Sequence, residues 1–257
     1  MKPTRSQWIN AIIITVCVSV TPFVGLLGPF QDGNLAGQST DELFKLAGYA
    51  FAIWSVIYSG LFALGIWQGL ASQADNARAR RAAPWLSATA IGNIVWMFLA
   101  SSPFAIPWTA LVLIFMGITG WVAYFRLQVG NPDLPAVERW LHIPLQIYVG
   151  WLSVATVANI AAVLSAMGWN GWGISPVTWT LTLLAVAVGV AWIVGRLVGE
   201  DNIYRAVFVW AFVALFVRQQ AYPLVAWSGL IAAAVVLAMI VVTWPRARRN
   251  ALVTAEA

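Results

Sequence analysis

The sequence predicts an all-α, polytopic membrane bundle that crosses the bilayer about eight times with both termini on the cytoplasmic side. Three observations predict it. Hydrophobic residues make up 61% of the 257 and charged residues 9%, against roughly 45–50% and about 25% in soluble domains, so charges are too few to cover a water-facing surface. Eight apolar runs approach the ~20 residues that a helix needs to cross the hydrocarbon. Lys and Arg then sort to one side of those runs, as they do around membrane-spanning helices.

The runs lie near 8–28, 47–71, 84–102, 106–126, 141–166, 176–197, 203–219 and 222–244. Lys2 and Arg5 precede the first. It is longer than the apolar stretch of a secretory signal and no A-x-A site closes it, so it is expected to stay as an anchor. A polar loop from Gln31 to Lys45, with Gly33, Asn34 and Gly37, separates it from the second. Gln73 to Arg81 forms a basic loop before the third. The link from Ser101 to Pro107 is so short that spans three and four must form an antiparallel hairpin. Asn131-Pro132-Asp133 marks the turn into the fifth, and the Gly/Trp-rich stretch from Gly168 to Pro176 leads uncharged into the sixth. The seventh is the shortest, because Arg218 and Gln219 close it early. Helices are expected throughout: a lone span in hydrocarbon must satisfy its own backbone, and the alternation of a membrane barrel is absent.

Alternating sides at each span puts Lys2, Arg5, Arg78, Arg80, Arg81, Arg126, Arg139, Arg196, Arg205, Arg246, Arg248 and Arg249 together, with only Lys45 and Arg218 opposite. Twelve against two marks the first side as cytoplasmic. Miscounting one span would have blurred that split. An integral protein of a bacterial plasma (inner) membrane is expected.

The same distribution bears on function. The net charge of +5 is spread over loop ends and makes no patch for nucleic acid. Cys17 is the single cysteine and forms no intrachain disulfide. Asp and Glu sit in loops or the tail, which argues against a proton relay of the kind that ion-coupled transporters build inside the membrane. His142, the only histidine, reads as a polar anchor near the interface, and no metal site is expected. No G-x-S-x-G, H-E-x-x-H or P-loop occurs. About two thirds of the 16 tryptophans fit an interfacial belt, but Trp54, Trp96, Trp151 and Trp192 fall inside spans, where an indole N–H needs a partner.

Uncharged polar and aromatic residues remain, at helical spacing. Phe51, Trp54 and Tyr58 share one face of the second span, Asn93 and Trp96 one face of the third. Trp151, Ala155 and Asn159 step by four along the fifth, near Ser153 and Thr156. Buried amides in a membrane must find hydrogen bonds, so Asn93 and Asn159 either tie helices together or face a ligand. Gly65 to Gly69 and Gly195 to Gly199 are G-x-x-x-G patterns that permit close helix approach. At span ends they point to intrachain packing more than to a dimer face.

Three stretches carry a resemblance to the TspO/MBR family, the tryptophan-rich sensory proteins that include the peripheral benzodiazepine receptor. Tyr49 to Tyr58 resembles that family's W-x-F-x-x-W-x-x-L-Y, with Tyr49 for the first Trp. Gly92 to Trp96 resembles L-N-x-x-W-S, and Trp151 to Asn159 resembles W-x-x-x-A-T-x-L-N. The three come in the right order on spans two, three and five. Lys45-Leu46-Ala47-Gly48 stands where the family has Lys-Pro and Pro-Pro, and the preceding loop is longer. The resemblance covers about 8–167, which divides the chain into a five-helix unit, 1–167, and a three-helix extension, 168–257, as in longer relatives.

What the resemblance implies is a pocket inside the bundle for flat apolar ligands such as porphyrins, haem or sterols. Phe51, Trp54, Tyr58, Asn93, Trp96, Trp151, Ala155 and Asn159 would line it. On that basis the expected activity is binding, as a sensor or carrier of a hydrophobic ring compound such as a tetrapyrrole, with no catalytic residues and no required cofactor. Two alternatives stay open: a transporter of a small apolar or lipid-like solute, and light-dependent porphyrin breakdown. The expected partners are the lipid bilayer and the ligand, with a homodimer left open because short relatives commonly form one.

Overall fold

A computed structural model describes residues 2–27, 42–100 and 105–253, without the side chains of 23–27 and 245–253. Among these residues eight α-helices follow one another: α1 Arg5–Leu27, α2 Ile53–Gly69, α3 Ala77–Ala100, α4 Ile106–Leu127, α5 Ala136–Ala166, α6 Pro176–Leu197, α7 Asn202–Arg218 and α8 Pro223–Val253. Among the described residues there is no strand. Most of the polar loop expected before the second span, and most of the link from Ser101, lie outside the described residues.

Local chemistry sets several boundaries. Ser175 caps α6 by accepting from the Thr178 N–H at 3.2 Å, with Pro176 in the first turn where its missing N–H costs nothing. Asp201 caps α7 by accepting from the Tyr204 N–H at 2.9 Å. Gln128 ends α4 in the left-handed region at φ 56°.

Three boundaries differ from the sequence expectation. A 3₁₀ turn, Gly48–Ala52, precedes α2, so Phe51 stands just outside the α-helix. α3 begins at Ala77, which makes Arg78, Arg80 and Arg81 helical and not part of a loop. α5 begins at Ala136 and its 31 residues extend about 46 Å at ~1.5 Å per residue, well past ~30 Å of hydrocarbon. Hydropathy marks only the apolar stretch of such helices, whereas the backbone continues helical into the polar zone. Among the described residues, six segments are long and apolar enough to cross a membrane: 48–69, 77–100, 106–127, 136–166, 176–197 and 223–244. α7, with 17 residues, reaches only about 26 Å.

Packing order defines the architecture. α1 packs on α2 and α3, α2 on α5, α5 on α4, and α4 on α3, so five helices close a ring. The other three stand outside it: α7 lies against α5, α8 against α7 and α6, and α6 also touches α5. Glycines set the closest approaches. A Cβ on Gly60 would lie 1.9 Å from the Pro144 ring, so α2 and α5 meet there only because that Cβ is missing. Gly65 and Gly69 lie against Ile14 and Ala11 of α1, and Gly195 against the Arg205 side chain. Three of the four glycines in the two G-x-x-x-G patterns thus serve intrachain contacts.

Candidate ligand-binding site

The aromatic face of α2 and its preceding turn meets α5 inside the ring. Trp54 stacks on Tyr58 one turn later, with ring centroids 5.0 Å apart and 20° between planes. Trp151 stands edge-on to Phe51 at 5.7 Å and to Trp54 at 6.3 Å. It is 2% exposed, so its indole points into the bundle and not into lipid. Phe51, Trp54, Trp96 and Ala155 are each half-buried and pack against the main core. Ala155, one turn beyond Trp151, presents only a methyl group there.

Asn93 and Asn159 are both buried, but they serve different junctions. The Asn93 amide donates to the Tyr148 hydroxyl at 2.8 Å and to the Thr89 carbonyl at 3.1 Å. Thr89 also meets the Tyr148 hydroxyl, at 2.9 Å. Asn159 accepts from the Thr109 hydroxyl of α4 at 3.1 Å. It sits two turns past Trp151, towards a small second core of Ala100, Ile106, Ala162 and Val163, and Trp96 bridges the two cores. The expected residues therefore form one aromatic group, Phe51, Trp54, Tyr58 and Trp151, with Asn93 joined to it through Tyr148 and Asn159 set further along α5.

The family model described as TSPO-like protein matches residues 7–242. The chain belongs to that family. The match runs through all eight helices, well beyond the stretch where the three sequence motifs lie. No curated protein and no solved structure matches the chain.

Within this TSPO-like bundle, the residue that sequence reasoning missed is Tyr148. It is fully buried, 6.1 Å from Trp54, and its hydroxyl reaches α3, so one side chain of α5 links α2 and α3 across the ring. Its signal was present: Tyr148, Trp151, Ala155 and Asn159 fall on one helical stripe at spacings of three, four and four.

A second polar cluster lies between α4, α5, α7 and α8, with Glu200 and Asp201 in the link between α6 and α7, as the sequence indicates. Asp201 is 7% exposed and accepts from the Tyr124 hydroxyl at 2.8 Å and the Gln146 amide at 3.0 Å. Arg205 is fully buried, ion-paired with Glu200 at 2.5 Å and donating to Asn202 and the Thr243 hydroxyl, each at 3.1 Å. Both carry charge at helix ends, as the sequence indicates, but neither is exposed. Glu138, expected in a loop, is likewise buried in the first turn of α5, where Arg78 holds it at 2.9 Å. His142 is not an interfacial anchor. It is 1% exposed, and neither ring nitrogen has a hydrogen-bond partner among the described residues.

The outer helices also hold the site. The Trp210 indole N–H of α7 donates to the Ala50 carbonyl at 3.0 Å, the Ala47 N–H to the Ala214 carbonyl at 3.1 Å, and the Gln219 amide to the Leu43 carbonyl at 2.7 Å. These bonds fix the segment leading into α2, where prolines expected from the family motif would have fixed φ instead.

Proposed function

We propose that this protein binds a flat, apolar ring compound, a tetrapyrrole such as a porphyrin or haem, at the aromatic face between α2 and α5, without catalysing a reaction on it. The observation that carries this reading is the group of Phe51, Trp54, Tyr58 and Trp151 converging beside the small Ala155. Indole and phenol faces offer stacking surface to a planar ring, and the half-buried Trp54 and Phe51 retain surface that a ligand can cover. Asn93 and Tyr148 supply polar groups that would set its orientation. The chain acts as a sensor or carrier, with the five-helix ring as its binding unit and α6 to α8 as the extension that steadies it.

Titration of purified protein in mild detergent with protoporphyrin IX tests the reading. Saturable quenching of tryptophan fluorescence at one ligand per chain is expected. A linear, non-saturating decline equal to that of free tryptophan in the same micelles contradicts it.

We also propose an orientation with both termini cytoplasmic and α1 and α7 completing eight crossings, on the strength of the Lys/Arg bias. A reporter active only in the cytoplasm is expected to function when fused at Ala257. A signal only from an extracytoplasmic reporter at that position reverses the assignment.

A further inference from the structure

A cavity of about 360 Å³ opens where the end of α5 meets the start of α6, close to the segment before α2. Ile160, Leu164 and Leu183 form its apolar walls, Trp169 and Trp179 add indole surface, and Glu42 contributes a carboxylate. Ile160 and Leu164 stand about 100° and 140° around α5 from Asn159, so the cavity lies on a different face of that helix from the ring site. No lysine or arginine lines it among the described residues.

The tryptophans here are not simply interfacial anchors. An anchor keeps its indole N–H in water, but the Trp179 N–H donates to the Gly171 carbonyl at 2.9 Å. Gly171 has φ +65°, and a Cβ there would lie 2.7 Å from the same indole nitrogen, so the turn is shaped to hold the ring in place. Trp169 packs on Trp179 at 5.0 Å, and the mostly exposed Trp172 packs on both, at 5.4 and 6.3 Å. Glu42 is oriented by the Phe44 N–H, which donates to one carboxylate oxygen at 2.5 Å.

We propose that this cavity is a second binding site, which takes a small organic cation with an apolar body, an aryl- or alkylammonium. Indole faces attract a cation through their quadrupole, most strongly where water is scarce. The carboxylate adds attraction of the same sign, and the aliphatic walls accommodate the uncharged part. The site is independent of the ring site and stands whether or not a tetrapyrrole binds there.

Equilibrium dialysis of the full-length protein in neutral detergent against radiolabelled benzyltrimethylammonium tests this. Saturable binding of one cation per chain is expected, weakened at least about tenfold by Glu42→Gln or Trp179→Leu and largely kept by Trp179→Phe, which preserves an aromatic face. Ala161→Phe, which fills the cavity from α5 without touching the tryptophans, is expected to abolish it, while saturating protoporphyrin IX leaves it in place. Absence of saturable binding to the folded protein overturns the proposal, as does equal binding in Glu42→Gln and Ala161→Phe. Displacement by protoporphyrin IX overturns it too, because the cation would then occupy the ring site.

Discussion

Ala155→Phe is expected to abolish porphyrin binding while leaving the fold intact. The wild-type methyl sits half-buried one turn from Trp151, and a benzyl group there would occupy the volume a planar ring needs. The stability of the same variant separates two accounts. Forcing a large side chain into a filled core costs about 1–3 kcal/mol. If room for a ligand exists beside Ala155, the phenyl ring enters it and thermal stability in detergent changes little. Trp151→Ala is expected to lose binding as well, but less cleanly. That indole makes edge contacts with Phe51 and Trp54, and deleting a buried tryptophan costs about 3–5 kcal/mol by itself. Loss of porphyrin binding in Trp151→Ala alone would thus report only on packing. Unchanged binding in Ala155→Phe refutes the site as drawn.

Arg205→Met is expected to be the most destabilising single substitution among the charged residues. Arg205 is fully buried, and its guanidinium holds Glu200, Asn202 and Thr243 together. Removing one partner of a buried pair leaves the other charge uncompensated, at a cost of about 3–5 kcal/mol. Glu200 retains some exposure, with a side chain 19% accessible, so the lower end of that range is expected. Unfolding of the purified protein by heat or by denaturing detergent measures the loss. Adding Glu200→Gln to Arg205→Met is expected to restore part of it, because the stranded carboxylate is then neutral. No recovery in the double variant would show that packing of the Arg205 side chain against Gly195, and not charge pairing, is what the site supplies.

The helices were legible because the hydrocarbon leaves the chain few choices. A run such as 176–197 has no charge before Arg196, and its ends carry Ser175, Pro176 and Arg196, which place the boundary almost to the residue. Where apolar content and helical backbone part company, the sequence misled. Arg78, Arg80 and Arg81 look like loop because they are charged, yet they form the first turns of α3. The faces of α2 and α5 were each legible from spacing, since Phe51, Trp54 and Tyr58 recur at helical intervals in one and Trp151, Ala155 and Asn159 in the other, while their meeting was implied by the family resemblance alone. Tyr148 was not singled out, although it lies on the same stripe, because its importance comes from reaching α3, a contact between residues far apart in sequence. The inward turn of Asp201 and Arg205 was hidden for a similar reason. Charge at a helix end reads as solvated, and only α4, α5 and α8 packed around it, contributing Tyr124, Gln146 and Thr243, reveal that it is enclosed. The bonds from α7 to the segment before α2 belong to the same class: no local pattern announces that Trp210 will meet Ala50.

A ring ligand seated between α2 and α5 can be located directly by photolabelling the protein with a diazirine-bearing porphyrin and mapping the modified peptides by mass spectrometry. Label is expected on the stretches 51–58 and 148–159, and it should be suppressed by excess unlabelled protoporphyrin IX. Label confined to outward-facing positions such as Trp192 or Trp227, or label that excess ligand does not suppress, would mean that the porphyrin only partitions against the lipid-facing surface.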